Sequence, residues 1–408
     1  MKRYSVATLG CRTNQYESQA WTDQLTQMGL VRAEEGEEAD LCIVNTCTVT
    51  HSADSASRHQ IRSLLRSHPR ARFLVTGCMA ESAAQELTAL DERIEVIPNA
   101  KKEDLLGGLF TDELPEFQIR AFEGHTRAFV KVQDGCNSFC TYCIIPYVRG
   151  RSRSRTIGEV LREVEGLVAN GYQEVVLTGI NVGDFDGQGE GNLAALVRAV
   201  DQISGLKRIR ISSIDPDEVD DELADAVLNG RATCSSMHLV LQSGSNAILK
   251  RMNRKYTRQQ FLEAVEKMQA HDPDFTVTTD IIVGFPGESD ADFSDTLEIV
   301  RQVDFAKVHI FPYSPRKRTR AALYPNRVAI ETLQERKAEL MRAAEERAYQ
   351  LRERFVGRCM SVLMEEGGEG HTENFLRVIC SGEKNTLVHV KLIANRPEGL
   401  VGVPCNEH

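Results

Sequence analysis

The sequence predicts an α/β chain in three successive parts: a doubly wound parallel sheet, a partial TIM-like barrel of six βα units, and a small C-terminal β-barrel. Three observations predict it. Short apolar runs alternate with helical segments through the first two parts, the order that builds parallel sheets. The central alternation gives six strand–helix units, too few for a closed eight-fold barrel. The last fifty or so residues switch to short strand-like runs with Gly-rich turns.

In residues 1–110, RYSVATLG, ADLCIVNT and RFLVTGC read as buried strands, each an apolar run ending at a turn signal. Helical segments start near Gln15, Thr50 and Glu81. Residues 111–125, with Pro115, Gly124 and little periodicity, form the linker candidate. The central part, 126–350, carries strands RAFVKVQ, EVVLTG, RIRISSI, MHLVLQ, FTVTTDIIVG and KVHIFPY. Helices are expected over 156–169, 217–228, 257–270 and 289–302, and a long one over 328–353. In the third part, 354–408, MSVLMEE, FLRVIC and LVHVKLI read as strands.

Apolar residues make up 41% and charged residues 26% of the 408, a globular rather than disordered composition. No run approaches the length of a membrane span, and the N-terminal apolar stretch is too short for a signal segment, so a cytoplasmic location is expected. Eleven cysteines, an odd number, then favour metal or cluster ligation over a disulfide framework. Cys42, Cys234, Cys359, Cys380 and Cys405 read as small buried apolar residues. The net charge of −10 excludes a chain coated in nucleic acid, yet basic charge is local. Arg149, Arg151, Arg153 and Arg155 recur at every second position, and Arg316, Lys317, Arg318 and Arg320 form a second cluster. Such strips on an acidic body can hold a phosphate backbone at one face.

The strongest signal is DGCNSFCTYCIIPYVRG, which spaces Cys136, Cys140 and Cys143 as C-x3-C-x2-C. Three thiolates on one loop can hold three irons of a cubane and leave the fourth open to a cosubstrate. Ferredoxin runs supply four cysteines, and zinc sites pair C-x2-C knuckles with two further ligands. A redox pair of Cys140 and Cys143 would leave Cys136 unexplained. The loop follows the first expected barrel strand, at the end where barrel sites form. Cys11, Cys47 and Cys78 each close an expected strand of the first part, in TLGC, VNTC and VTGC. Ends of parallel strands line one sheet edge, so these three would converge.

The C-x3-C-x-aromatic-C pattern, with Tyr142 in the aromatic slot, resembles the radical S-adenosylmethionine superfamily. That resemblance implies a [4Fe–4S] cluster whose open iron chelates S-adenosylmethionine and whose electron releases a 5′-deoxyadenosyl radical, with Tyr142 near the adenine. Cys11, Cys47 and Cys78 resemble the auxiliary [4Fe–4S] ligands of methylthiotransferases, where sulfide or methylsulfide would land. LTGIN (177–181), SSIDP (212–216), LQSGS (241–245) and IIVGFPGE (281–288) close expected strands. They resemble the family's cofactor-binding strand ends, which makes Gly179, Asn181, Asp215, Gln242 and Glu288 candidates beside Tyr142. Ordinary βα-turn chemistry is the alternative for each. Tyr147, Arg149 and Gly150 match the family's PYxRG stretch. GHTENFLRV (370–378) resembles a TRAM domain, a small RNA-binding barrel, with Phe375 as a stacking candidate and the alternative of a core role.

TLGCRTNQYESQ, through Gln15, Tyr16 and Glu17, resembles the branch of the family that acts on tRNA N6-threonylcarbamoyladenosine beside the anticodon. Two departures stand out: Arg318 where the family carries Gly, and Val240 where it carries Pro. The implied reaction uses S-adenosylmethionine twice, once to methylate sulfur at the auxiliary cluster and once to make the radical that removes hydrogen from adenine C2. The implied partners are the tRNA anticodon stem-loop and a reducing electron donor of flavodoxin or ferredoxin type, with no membrane; the sulfur source is unspecified. RNA contact is expected at Arg149, Arg151, Arg153, Arg155, Arg316, Lys317 and Arg318. The competing acceptors are an isopentenyladenosine tRNA or a ribosomal-protein aspartate. A non-catalytic iron–sulfur RNA-binding or sensor protein is the alternative from another class.

Overall fold

The computed structural model describes residues 1–110, 113–122 and 124–405. The first part runs β1 (Arg3–Thr8), α1 (Arg12–Gln27), β2 (Val31–Arg32), β3 (Leu41–Thr46), α2 (His51–Ser67), β4 (Arg72–Gly77), α3 (Cys78–Ser82), α4 (Ala84–Thr88) and β5 (Ile94–Val96). All strands are parallel, in the order β2-β1-β3-β4-β5. Every residue of β3 is buried, as an unbroken apolar run at the centre of a two-sided sheet requires. Helix α1 starts at Arg12, three residues before the expected Gln15. The expected third helix is two short ones, broken at Ala83, whose φ of −140° and ψ of 34° lie outside the helical region.

The central part begins at β6 (Arg127–Lys131). A short antiparallel pair, β7 (Gln133–Asp134) and β8 (Arg153–Ser154), brackets the cysteine loop with its single-turn helix α5 (Ile145–Val148). Then come α6 (Ile157–Ala169), β9 (Glu174–Thr178), α7 (Leu193–Asp201), β10 (Arg208–Ile211), α8 (Asp221–Leu228) and β11 (Ser236–His238). They are followed by α9 (Asn246–Met252), α10 (Arg258–His271), β12 (Thr276–Val283), α11 (Asp290–Gln302), β13 (Phe305–Pro312) and α12 (Ile330–Glu353). Two parallel sheets, β10-β9-β6 and β11-β12-β13, are joined by bridges at Ile209↔Thr233 and Ile214↔Leu239. The six strands thus wrap into the expected partial barrel. One apolar core, including Val130, Val175, Leu177, Ile281 and Phe305, fills the space between strands and helices.

The segment expected as a linker packs as a strap where described. Phe117 packs against Trp21 and Tyr16. Ile119 and Phe122 are buried, and the Ile119 amide donates to Glu163 at 2.7 Å.

The last part closes as a five-stranded barrel of β14 (Cys359–Met364), β15 (Glu369–Thr372), β16 (Arg377–Ile379), β17 (Leu387–Arg396) and β18 (Gly399–Pro404), in the order 14-15-16-18-17. Val362, Met364, Val378, Val390 and Leu392 fill it. It docks on the N-terminal end of the central barrel. Arg208 donates to the carbonyls of Ser361 and His371, and Arg210 to those of Thr372 and Glu373, at 2.7–2.9 Å. No described helix is long and apolar enough to cross a membrane.

Candidate active site between two cysteine triads

Cys11 follows β1, Cys47 follows β3 and Cys78 follows β4, so parallel pairing brings the three to one sheet edge. Two glycines permit the convergence. A Cβ on Gly10 (φ +103°) would sit 2.9 Å from Cys47 Sγ, and one on Gly77 (φ +94°) 2.4 Å from the Thr46 carbonyl. Positive φ and missing room both exclude a side chain there. Burial pushes Cys78 up to about 11 and raises Cys47, and the neighbouring triad sulfurs add to both shifts. Burial likewise raises Cys136 and Cys143, with Cys140 adding to each. Of the six thiols, Cys47, Cys78 and Cys140 are buried, Cys136 and Cys143 half-buried and Cys11 exposed, and thiols suit iron, which takes thiolates by displacing their protons.

The cysteine loop packs on the first part of the chain at Cys78. Cys78 lies in one apolar cluster with Ile144, Ile145 and Val148, against which Cys136, Cys143, Tyr147 and Ile180 pack. The loop that carries one triad therefore packs on a cysteine of the other.

Buried ion pairs lock this meeting. Arg149 donates from Nη1 to Glu17 Oε1 at 3.0 Å and to Asp134 Oδ1 at 2.8 Å, and from Nη2 to Asn14. Lys102 reaches Glu17 at 2.6 Å and Asp134 at 2.5 Å. Burial pushes Glu17 upward, but Arg149, Lys102 and Lys131 outweigh it and hold its carboxyl at about 2. Next to it, the Tyr16 hydroxyl donates to Glu163 at 2.9 Å and receives a bond from Arg155. Tyr16 and Glu17, which carry the sequence resemblance, join the first part to the second.

That burial corrects part of the expected RNA face. Arg149 is 3% exposed and fully partnered through its terminal nitrogens. Arg316, 6% exposed, binds Asp54 at 2.7 Å and the Thr48 carbonyl at 2.9 Å. Arg155 serves Glu163. These three hold elements together and offer no free donor fork to a phosphate. Phe375 stacks on His371 with centroids 5.0 Å apart and lies under Arg127 and Arg210, so its ring belongs to the barrel junction, not to a base. Arg151, Arg153, Lys317 and Arg318 remain exposed. Arg318 has φ +73° and lies over the Tyr147 ring at 5.1 Å, which accounts for glycine being the family's residue there. Val240 donates its amide to the Ile214 carbonyl at 3.0 Å, a bond that proline lacks.

The strand-end candidates divide. Tyr142 and Gln242 line a cleft of about 200 Å³ with Cys143, Asp280 and Tyr313. Gln242, at φ +63°, buries an Oε1 that has no hydrogen-bond partner. A buried orphan acceptor beside the cluster loop fits a bound N–H donor, and S-adenosylmethionine carries both an ammonium and an amino group. Asp215 pairs with Arg254, which also donates to Cys140 Sγ at 3.1 Å. Asn181 donates to Glu218 at 2.9 Å, and burial with Asp215 nearby pushes Glu218 up to about 7. Gly179 sits where a Cβ would meet Gln133 at 2.9 Å, so its size serves packing. Glu288 accepts from the Gly284 amide and from Arg336 at 2.7 Å and lines no cavity beside the cysteines, which corrects its place as a cofactor candidate to a turn-holding role. Sequence reasoning missed Arg254, Glu218 and Asp280, single polar residues whose positions only the barrel defines.

Residues 130–300 match the radical SAM superfamily, and residues 3–98 match the uncharacterized protein family UPF0004. The chain is 49% identical to the threonylcarbamoyladenosine tRNA methylthiotransferase MtaB of Chlamydia pneumoniae, over 98% of this chain and 97% of that one. It is 34% identical to the protein of that name from Bacillus subtilis, over 100% and 96%. It is 36% identical to the tRNA-2-methylthio-N(6)-dimethylallyladenosine synthase of Caldicellulosiruptor saccharolyticus, over 98% and 92%. The fold is shared with TsrM from Kitasatospora setae, a radical S-adenosylmethionine methyltransferase, at a TM-score of 0.55 and 14% identity over 77% of each chain. With both cysteine triads in place and relatives matched end to end, the chain belongs to the radical S-adenosylmethionine family of tRNA methylthiotransferases.

Proposed function

We propose that this enzyme converts tRNA N6-threonylcarbamoyladenosine, at position 37 beside the anticodon, to its 2-methylthio derivative. The observation that carries the reading is the contact of the cysteine loop with Cys78, whose cluster with Ile144, Ile145 and Val148 has Cys136 and Cys143 packed against it. Hydrogen removal and sulfur delivery at one carbon need two centres within reach of one base, and that contact supplies the nearness. Adenine C2 carries a strong C–H bond that no side-chain base ionises, so a radical route is required. Two [4Fe–4S] clusters with S-adenosylmethionine supply the radical and the sulfur-landing site when bound at the triads.

The chain's own residues position and shield. Gln242 Oε1, buried without a partner, would accept an N–H of S-adenosylmethionine, and Tyr142 with Tyr313 walls the cleft with apolar surface. Arg254 holds the Cys140 sulfur and Asp215 together from outside. Lys317 and Arg318 line a groove of about 260 Å³ with Ile144, Val148 and Met79, next to the auxiliary triad, and offer phosphate contacts at its mouth. A splayed anticodon-loop base would enter beside them, as single-stranded RNA recognition requires. The reading places the enzyme in the cytoplasm, fed by a one-electron donor of flavodoxin or ferredoxin type.

The test is nucleoside mass spectrometry on anticodon stem-loop RNA incubated with the reconstituted, reduced enzyme and S-adenosylmethionine. The expected result is the mass gain of a methylthio group on threonylcarbamoyladenosine, lost when Cys11, Cys47 and Cys78 are replaced. A gain on dimethylallyladenosine RNA alone would overturn the substrate, and no 5′-deoxyadenosine from fully loaded enzyme would overturn the chemistry.

A further inference from the structure

A second cavity, of about 140 Å³, lies in the barrel lumen and is used by none of the chemistry above. Its walls include Arg12, Arg127, Arg210, His238, Lys307 and His309, and Phe375 closes one end. Asp280 joins it to the cofactor cleft. That residue lines the cleft with Cys143 and Gln242, and its Oδ2 lies 3.4 Å from His238 Nε2. Arg12 directly follows Cys11, and Arg12 and Lys307 are exposed, so the cavity wall reaches solvent on the side of the first triad's Cys11.

The charges do not balance. Arg210 is held by Glu174 at 2.7 Å, and Arg127 lies between Glu174 at 3.9 Å and Glu365 at 3.2 Å. Arg12 and Lys307 have no ion-pair or hydrogen-bond partner among the described residues; Arg12 rests only over the Phe129 ring at 5.4 Å. Beyond Glu174 and Glu365, Asp280 is the carboxylate whose charge reaches Arg12, and it already faces His238 and, by strand register, His309. His238 binds Thr278 through Nδ1 at 2.8 Å and leaves a buried Nε2 without a hydrogen-bond partner.

His238, Asp280 and His309 also bring ligand atoms within 4.8 Å of one another, the donor set of a two-histidine, one-carboxylate metal site. The flanking cations decide against a metal. A divalent ion there would add positive charge beside Arg12 and Lys307, two cations that no carboxylate pairs. An anion removes the imbalance.

We propose that this cavity binds the α-carboxylate of the threonylcarbamoyl group on the target adenosine, through Arg12 and Lys307, and so selects that nucleoside over an uncharged prenylated one. The inference rests on the substrate reading given above. A threonylcarbamoyl group ends in a carboxylate and a hydroxyl; a dimethylallyl group has neither. A carboxylate gains ion pairs with Arg12 and Lys307, both exposed on the cavity wall, that a dimethylallyl group cannot make.

The experiment uses the full-length, cluster-reconstituted enzyme with anticodon stem-loop RNA bearing either nucleoside. For the threonylcarbamoyl RNA, Arg12→Gln and Lys307→Gln should each raise KM roughly tenfold, with a much smaller change in kcat, and the double variant should raise it further. Arg12→Lys, which keeps the charge, should recover part of the loss. Iron content and the unfolding transition control for a variant that has failed to fold. Unchanged KM in a folded double variant, while the wild type modifies this RNA, would overturn the proposal and leave the function intact. So would a stoichiometric metal beyond the cluster iron that is lost on His309→Ala. Should the wild type leave this RNA unmodified, the substrate reading falls instead. Calorimetry with free N-carbamoyl-L-threonine then reads the cavity alone: binding that the double variant loses upholds the site, and no binding overturns it.

Discussion

Arg149 ends the cysteine loop and Glu17 lies in the first helix, yet Arg149 Nη1 sits 3.0 Å from Glu17 Oε1 with both side chains fully buried. This pair, extended by Lys102 and Asp134, sets how one triad faces the other. Arg149→Met would strip the main cation from two buried carboxylates. Breaking one partner of such a pair costs roughly 3–5 kcal/mol, and the remaining Lys102 and Lys131 place the loss near the lower end. Denaturant unfolding of the apoprotein should show it. Arg149→Lys should recover little, because a point charge cannot bridge Glu17, Asp134 and Asn14 as the guanidinium fork does.

Much of this arrangement was legible in the sequence, for identifiable reasons. Cysteines at the ends of three apolar strands had to share an edge once the strands paired in parallel, and six βα repeats had to leave a barrel open. What was not legible was side-chain destination. Arg149, Arg151, Arg153 and Arg155 alternate like one solvated strip, but a bracketed loop turns Arg149 and Arg155 inward and Arg151 and Arg153 outward. Phe375 sits in the stretch with the TRAM resemblance, and only the docking of the last barrel against Arg210 shows its ring to be occupied. Glu218 meets Asp215 locally in a capping box, but its partner Asn181 and the neighbours of Asp280 come from other strands of the barrel.

Iron content tests the two triads separately. Two cubanes predict about eight irons per chain. Replacing Cys11, Cys47 and Cys78 together by alanine should leave about four, with reductive cleavage of S-adenosylmethionine retained. Replacing Cys136, Cys140 and Cys143 should also leave about four but abolish that cleavage. An iron content unchanged by the first set would remove the auxiliary site.

Gln242 holds a buried acceptor that nothing in the chain satisfies. Gln242→Leu removes the acceptor with little change in volume, so the apoprotein should keep or slightly gain stability, since an unsatisfied buried polar atom costs about 1–3 kcal/mol. S-adenosylmethionine affinity should fall by roughly tenfold or more, as expected for a lost hydrogen bond to a charged donor. Equilibrium binding to cluster-loaded enzyme measures the fall; an unchanged affinity would show that Gln242 faces no cofactor.

Two carboxylates give the apoprotein opposite pH dependences. Glu17, held at about 2 against an ordinary 4.5, contributes stability that is complete above pH 4.5 and is lost as pH falls toward 2. Glu218, pushed up to about 7 by burial and Asp215, binds its proton more tightly folded than unfolded. Its ionisation therefore costs stability as pH rises from 4.5 to 7. Glu218→Gln should flatten that decline and leave the acid limb alone, while Glu17→Gln should weaken the fold at neutral pH and blunt the acid limb. Denaturant midpoints at pH 3, 5 and 8 separate the two.

The exposed cations should govern RNA affinity and the buried ones should not. Lys317→Ala and Arg151→Ala should each weaken anticodon stem-loop binding and reduce the slope of log K against log salt by about one. Arg318→Gly should do the same at nearly constant stability. Its positive φ costs an L-residue about 1–2 kcal/mol, which glycine relieves. Against that gain stand glycine's greater unfolded-state freedom, about 0.5–1 kcal/mol, and the lost stacking over Tyr147, about 0.5–1 kcal/mol for an exposed pair. Arg316→Ala should behave differently. Its guanidinium is bound to Asp54 and Thr48, so the variant should lower the unfolding midpoint, and the salt slope of RNA binding by the remaining folded protein should hold. A lowered slope for Arg316→Ala without a stability loss would move that residue back to the RNA face.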